Sequence, residues 1–428
     1  MLRARRRPFL LGNLSASRPL FSTAAANFFF VFVYILFTDS FWTYTWENRI
    51  PYTIANVAVV LAGVMCFIVL IMNLSHIDLG KLKAVFAIYI GICVNMFVNL
   101  EISFGYIQKL AYPLIGVVLC MMLDFNKVAK AFVRVMAFLS VWSLVLYFMA
   151  QFKLEEALPV IKNISGIKFH NGLLGLILVD GDRLVRNWGI FWEPGAFQSY
   201  LCMALLLDLF FLKDRKPYFM ILFAITILST LSTTGIICLA LILFLYIITM
   251  HGRKFSFNRK IILAMILLGI LIFLLSEKLQ SMVFDKLKFS NIQDSASFGA
   301  RYYSIIGNLK IMFSDGLLVG TGVSDYNEIY RQTVLGMGYA RDMSNTNTIF
   351  VDFARFGWIV GFANIYLIYK FAKKIGNGVL QKLGIAAIIM IVLFMESFTY
   401  SLFWMSFMYF GIGVYRGRRS NENPVSVQ

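Results

Sequence analysis

Charge is scarce in this chain. Asp, Glu, Lys and Arg make up 14% of its 428 residues, against about 25% in soluble domains. That leaves too little polar material to clothe a water-soluble body of this size. Acidic residues are scarcer than basic ones, 22 against 39, and the formal charge is +17. The five cysteines (66, 93, 120, 202 and 238) all fall in apolar segments without a CxxC pair, so neither a disulfide framework nor a zinc site is implied. Apolar sequence fills the gap: 60% of residues are hydrophobic and the mean hydropathy is +0.76. It is arranged in runs of about 17–25 residues, the length that crosses a bilayer as a helix. Period-2 alternation in segments of roughly ten residues, the mark of a membrane barrel, is missing. The fold class expected is all-α: a single polytopic transmembrane domain over residues 1–428, surrounded by membrane lipids.

About twelve spans are expected, near 20–38, 51–73, 84–100, 103–123, 128–150, 188–212, 218–232, 234–250, 261–276, 348–369, 384–396 and 398–415. Lys109 lies inside one of them. The pair 218–232 and 234–250, joined by Ser232-Thr233-Thr234-Gly235, reads either as two spans or as one broken element. The positive charge sits in short loops: Lys81/Lys83, Lys127/Lys130, Lys213/Arg215/Lys216, Arg253/Lys254/Arg259/Lys260, Lys373/Lys374 and Arg416/Arg418/Arg419. Cytoplasmic loops are marked in this way, so the charge needs no nucleic-acid partner. Both termini are then expected in the cytoplasm, with the first span kept as an anchor because Arg18 interrupts any cleavable signal pattern. Two long loops, about 151–187 and 277–347, would face outward. Apolar residues at helical spacing, such as Tyr302, Ile305, Ile306, Leu309 and Met312, suggest amphipathic segments lying on the membrane surface.

Residues 183–199, RLVRNWGIFWEPGAFQS, hold the most informative pattern. A carboxylate at the mouth of a span is costly and usually functional. Pro194 and Gly195 beside it permit the helix to break. Arg186 offers a planar fork for phosphate oxygens, although an interfacial Arg can also simply snorkel. Glu193 is a candidate general base, because an apolar setting favours proton uptake by a carboxylate; its plainer role is to pair with a nearby Arg. Arg301 and Arg341 in the second outer loop are further candidates for phosphate contact, whereas Lys310 and Arg331 read as solvated charge. Asp352 and Arg355, spaced i, i+3 at a span start, suggest an intrahelical pair. Glu396, Ser397 and Tyr400 sit at another outer end, where they could face the same cavity. Asp180-Gly181-Asp182 resembles a DxD motif but reads better as an acidic turn. His170 stands alone. The GxG fragments at 320–322 and 336–338 lack the strand-then-helix setting of a nucleotide fingerprint.

The order of these pieces resembles the O-antigen polymerases of bacterial envelopes, within the wider polymerase and ligase superfamily. The carrying stretches are Arg186-Asn187-Trp188-Gly189-Ile190-Phe191-Trp192-Glu193-Pro194-Gly195, Thr230-Leu231-Ser232-Thr233-Thr234-Gly235, Arg301, Leu317-Leu318-Val319-Gly320-Thr321-Gly322, and Ser344-Asn345-Thr346-Asn347 running into Gly357. Ligases carry a His-Asn pair followed after nine residues by Gly. Here Asn347 and Gly357 keep the spacing, but Thr346 stands in place of the His, which favours a polymerase.

The resemblance implies a glycosyltransferase at the outer face of the bacterial cytoplasmic (inner) membrane. It would join lipid-linked repeat units into O-antigen, capsule or exopolysaccharide. The growing chain would pass from one polyprenyl-pyrophosphate carrier to a lipid-linked acceptor, with no cofactor and no metal, because the donor is already activated. Arg186, Arg301 and Arg341 would hold the pyrophosphate, Glu193 would serve as base, and Asn345, Asn347 and Asp352 would contact substrate. Flippase and chain-length regulator proteins are the partners implied. The alternatives are an O-antigen ligase and a lipid-linked glycan flippase or other transporter; a transporter would show internal repeats and charges near mid-membrane.

Overall fold

A computed structural model describes residues 23–179, 185–214, 216–249, 296–314, 318–340 and 345–414. Arg341, residues 180–182, the span expected at 261–276 and the basic residues at 3–18, 253–260 and 416–419 lie outside the described residues. The chain forms α1 (Ala24–Asp39), a short α2 (Phe41–Tyr44), α3 (Ile50–Met72), α4 (Lys83–Val98), α5 (Phe104–Met122) and α6 (Phe125–Gln151). Three short strands follow: β1 (Val160–Lys162), β2 (Lys168–Asn171) and β3 (Leu176–Leu178). Then come α7 (Pro194–Leu206), α8 (Pro217–Ser229), α9 (Thr233–Thr249), α10 (Ala296–Met312), α11 (Tyr326–Gly336), α12 (Ile349–Phe356), α13 (Trp358–Ile375), α14 (Val379–Met395) and α15 (Leu402–Met408).

Among the described residues, six helical stretches are long and apolar enough to cross a membrane: Ala24–Tyr44, Ile50–Met72, Leu79–Val98, Phe104–Met122, Phe125–Gln151 and Pro194–Phe211. Four further apolar helical stretches, Pro217–Ser229, Thr233–Thr249, Val379–Met395 and Leu402–Gly411, are shorter. The molecule is therefore a mostly helical protein suited to a bilayer. The most exposed of the long helices is α3, whose apolar window is only 6% buried within the protein.

One open alternative closes and two local expectations change. Residues 218–249 form two separate helices, α8 and α9, turning at Leu231, whose φ of 51° is left-handed. The span expected at 348–369 is broken at Gly357, where φ is +89° and ψ 174°, a region open essentially to Gly alone. A side chain there would also overlap the Val319 carbonyl. The first long loop is not amphipathic helix: it carries an antiparallel sheet of order β1-β2-β3, with Val160 opposite His170 and Phe169 opposite Leu178. Its strands are three or four residues long, too short to display a period-2 pattern against the helical spacing of neighbouring apolar residues. In the second loop, α10 is helical as its spacing suggests.

Lys109 sits on α5 without breaking it, because its ammonium meets Asp352 at 3.1 Å. Aromatic rings fill the centre, with Phe125, Phe371, Phe407 and Phe410 in contact and Phe132, Phe403 and Tyr200 continuing the stack. Long-range polar contacts gather at two ends of the bundle. At one end Lys130 pairs with Asp214 at 2.8 Å, the Asp78 N–H donates to the Val414 carbonyl, and Gln381 donates to Thr249. The other end holds the sheet, the 185–193 loop, the 99–103 loop and residues 396–401. The basic short loops that are described thus fall at one end and the candidate site residues at the other.

Candidate functional site

The 185–193 segment has no regular structure, yet it is tied down on every side. The Asn187 N–H donates to the Ser229 carbonyl, and its amide donates to the hydroxyls of Ser143 and Ser229. The Gly189 carbonyl accepts from Leu176 N–H of β3, and the Ile190 carbonyl from Phe41 N–H of α2. Phe41, Phe169 and Trp188 pack edge to face beneath it. The sheet thereby acts as a clamp that fixes where Arg186 and Glu193 project.

Arg186 donates from Nε to the Thr230 carbonyl at 3.0 Å. Two stretches quoted for the resemblance, 186–195 and 230–235, therefore meet here. Leu231 takes its left-handed conformation beside that carbonyl, and strained backbone of this kind persists only where its surroundings impose it. Burial lowers the Arg186 pKa, and the nearby Arg301 adds to this; Glu193 and Glu396 oppose it. A guanidinium keeps its proton in any case.

Glu193 is the N-cap of α7, with Pro194 in the first turn, where its missing N–H is no loss. Its carboxylate accepts from Trp192 Nε1 at 3.2 Å. Glu396, the first residue past α14, is 1% exposed and faces Glu193. Its Oε1 lies 3.5 Å from a terminal nitrogen of Arg301 on α10. Gly195 makes this possible, since a Cβ there would occupy the position of the Glu396 carboxylate. Thr348 locks the same strand of chain: its hydroxyl donates to the Glu396 carbonyl at 2.5 Å and accepts from Phe398 N–H at 2.7 Å. Two guanidinium groups and two carboxylates therefore converge at the N-terminus of α7, where the helix dipole favours negative charge. The carboxylates can accept hydrogen bonds from hydroxyl groups, and the cations beside them suit a phosphorylated ligand.

The remaining sequence candidates fall elsewhere. Asn345 is a tie between helices: its carbonyl accepts from Ser304 at 2.7 Å and from Asn308, and its amide donates to the Tyr326 hydroxyl. Asn347 accepts from Phe350 N–H at 2.7 Å and so caps the first turn of α12. Asp352 does not form the expected pair with Arg355. It pairs with Lys109, accepts from Asn364 at 2.8 Å and is 1% exposed. Both partners lie on other helices, and no local spacing would have shown them. His170 sits in β2 with its ring near the Leu158 carbonyl. The 318–322 and 354–358 stretches bind backbone to backbone: Thr321 N–H to Ala354, Gly322 N–H to Arg355 and Trp358 N–H to Leu318.

Two features were not anticipated. One is the direct approach of Glu396 to Arg301 and Glu193, just over 200 residues apart in the chain for the second pair. The other is a cavity of about 390 Å³ between α1, α3 and α5, capped by Tyr44, Asn327, Arg355 and Tyr400. It adjoins the charged cluster through two stacked rings, Tyr44 on Trp192 at 4.5 Å. Among the described residues no group of His, Cys, Asp and Glu is arranged to hold a metal ion. No protein-family model, no curated protein and no solved structure matches the chain.

Proposed function

We propose that this protein polymerises lipid-linked saccharide units at the outer face of the bacterial cytoplasmic membrane. The observation that supports this reading is the convergence of Arg186, Arg301, Glu193 and Glu396 at the start of α7. In the reaction an acceptor hydroxyl attacks the anomeric carbon of the donor sugar. The carbon–oxygen bond to polyprenyl pyrophosphate breaks, and the leaving group departs with its electron pair. Arg186 and Arg301 neutralise the charge that grows on the pyrophosphate. Glu193, the less buried of the two carboxylates, takes the proton of the attacking hydroxyl. Glu396 holds Arg301 in position and presents it beside Glu193. The acceptor glycan remains on its own lipid, longer by the transferred chain.

Purified protein in lipid nanodiscs, supplied with one defined lipid-linked repeat unit, tests the reading. Polymerisation gives a ladder of lipid-linked products and releases polyprenyl pyrophosphate. Transfer only to a different acceptor would make the protein a ligase, and unchanged substrate moved between leaflets would make it a transporter; either result ends the polymerase reading.

A further inference from the structure

The charged cluster at α7 leaves the 390 Å³ cavity unused. Its wall carries two guanidinium groups, Arg49 and Arg355, and no Asp or Glu. Among the described residues neither Arg has a carboxylate within ion-pairing distance. Arg355 is 8% exposed, and its Nε is buried without a hydrogen-bond partner. One terminal nitrogen donates to Asn327 at 3.0 Å, while the guanidinium plane lies over Tyr326 at 4.2 Å and Tyr400 at 5.4 Å. A buried cation held between rings, with no carboxylate paired to it, is poised for an anion at the terminal nitrogens of its fork. Arg49 lies over the Tyr52 ring at 5.0 Å, with a terminal nitrogen donating to the Tyr44 carbonyl at 3.4 Å. The lining adds amides, Asn56 joined to Gln108 at 2.7 Å, and tyrosine rings of the kind that stack on sugar faces. The floor is apolar, made by Phe37, Val59 and Leu402.

We infer that this cavity is a second anion site, which binds the negatively charged part of a saccharide carried on a lipid. On the polymerase reading, on which this assignment of substrate rests, the occupant is the acceptor. The anion is either the phosphate of the lipid carrier or the carboxylate of an acidic sugar; both present oxygen pairs that fit a guanidinium fork. Position supports the assignment, because Tyr44 and Tyr400 border both the cavity and the segments bearing Trp192 and Glu396.

The test is equilibrium binding to the full chain in nanodiscs of neutral lipid, read by tryptophan fluorescence. The probes are polyprenyl phosphate, glucuronate and, as the uncharged control, glucose. The Arg186→Gln/Arg301→Gln double variant serves as a background that removes the first site. Saturable, salt-sensitive binding should survive in that background and weaken about tenfold or more on adding Arg49→Gln or Arg355→Gln. Arg49 is exposed, so its variant folds even where loss of buried Arg355 disturbs the protein. Preference for polyprenyl phosphate identifies the carrier, and preference for glucuronate identifies an acidic sugar; each supports an anion site. Equal binding with and without Arg49→Gln, equal affinity for glucose, or no saturable binding of either anion overturns it. A wild type that yields no ladder yet binds anions through Arg49 and Arg355 removes the polymerase reading and leaves the cavity site standing.

Discussion

At the scale of single residues, the polymerase reading gives Glu193 and Glu396 two different tasks that the same side chain could perform. Glu193 is half-buried and reachable, whereas Glu396 is sealed beneath Gly195 and aimed at Arg301. As the base, Glu193 changed to Gln should slow polymerisation by about 10²–10⁴-fold and abolish the acidic limb of the pH–rate profile. Melting temperature should stay near that of wild type; a specific activity within a few-fold of wild type would assign Glu193 to structure alone. Arg186→Lys and Arg301→Lys keep the charge but lose the two-pronged grip, so both should make short products while still inserting. Full-length polymer from both variants would disconnect them from the pyrophosphate. Asp352 belongs to a different category. Breaking a buried ion pair by removing one partner costs about 3–5 kcal/mol, so Lys109→Met should lower the melting temperature in detergent sharply. The double change Lys109→Met/Asp352→Leu should recover much of that loss, since two apolar groups tolerate the site. If the double variant is stable but inactive, Asp352 contacts substrate after all.

The elements show why part of this site was legible in sequence and part was not. Arg186, Glu193 and the Pro194-Gly195 break stand out because charge and irregular backbone are rare beside apolar runs, and the structure places them together. Glu396 could be suspected as a charge at a helix end and Arg301 as a charge in a long loop, but their contact depends on how α10 and α14 approach α7. Helical periodicity carries no information about that approach. The small sheet was hidden for another reason: its strands are too short to declare a period. The break at Gly357 illustrates the same limit, since apolar residues continue through 348–369 and only the backbone contact with 318–322 interrupts the helix. Gly357→Ala forces a side chain into a region that disfavours it by roughly 1–3 kcal/mol and against the Val319 carbonyl. The variant should lose stability and detach the 318–322 segment, seen as faster amide exchange there. The neighbouring loop gives a pH test. Burial acts to raise the Glu101 pKa, but hydrogen bonds from the Ser324 hydroxyl and the Val323 and Ser324 N–H groups outweigh it and leave it below the usual carboxylate value. A carboxyl depressed in the folded state contributes stability above its unfolded pKa and loses it as the pH falls through the folded one. Amide protection at 323–324 should therefore hold at neutral pH and fade below about pH 4. Glu101→Gln should show weak protection at every pH; an acid-dependent loss that persists in that variant would point to another group.

For the whole molecule, the separation of basic loops from candidate site residues makes a simple statement about sidedness. Cysteines introduced at Asn126 and Asp214 should resist a membrane-impermeant maleimide in intact cells, and those at Ser165 and Ser324 should react. All four positions are exposed, so burial will not mask the result, and labelling of Asp214→Cys together with Ser165→Cys would refute the arrangement.

The nearly bare α3 has a consequence for how a lipid-linked substrate would be fed on the polymerase reading. Its Ala55, Asn56 and Val59 border the cavity while most of its apolar surface looks away from the protein. On that reading a tailed substrate would slide in sideways without leaving the hydrocarbon. What matters is then its crowding within the bilayer plane and not its amount per volume of buffer. Adding inert phospholipid to proteoliposomes, with protein and substrate totals held constant, should slow the rate in proportion to the dilution in the plane. A rate indifferent to added lipid would mean that the substrate arrives from the water.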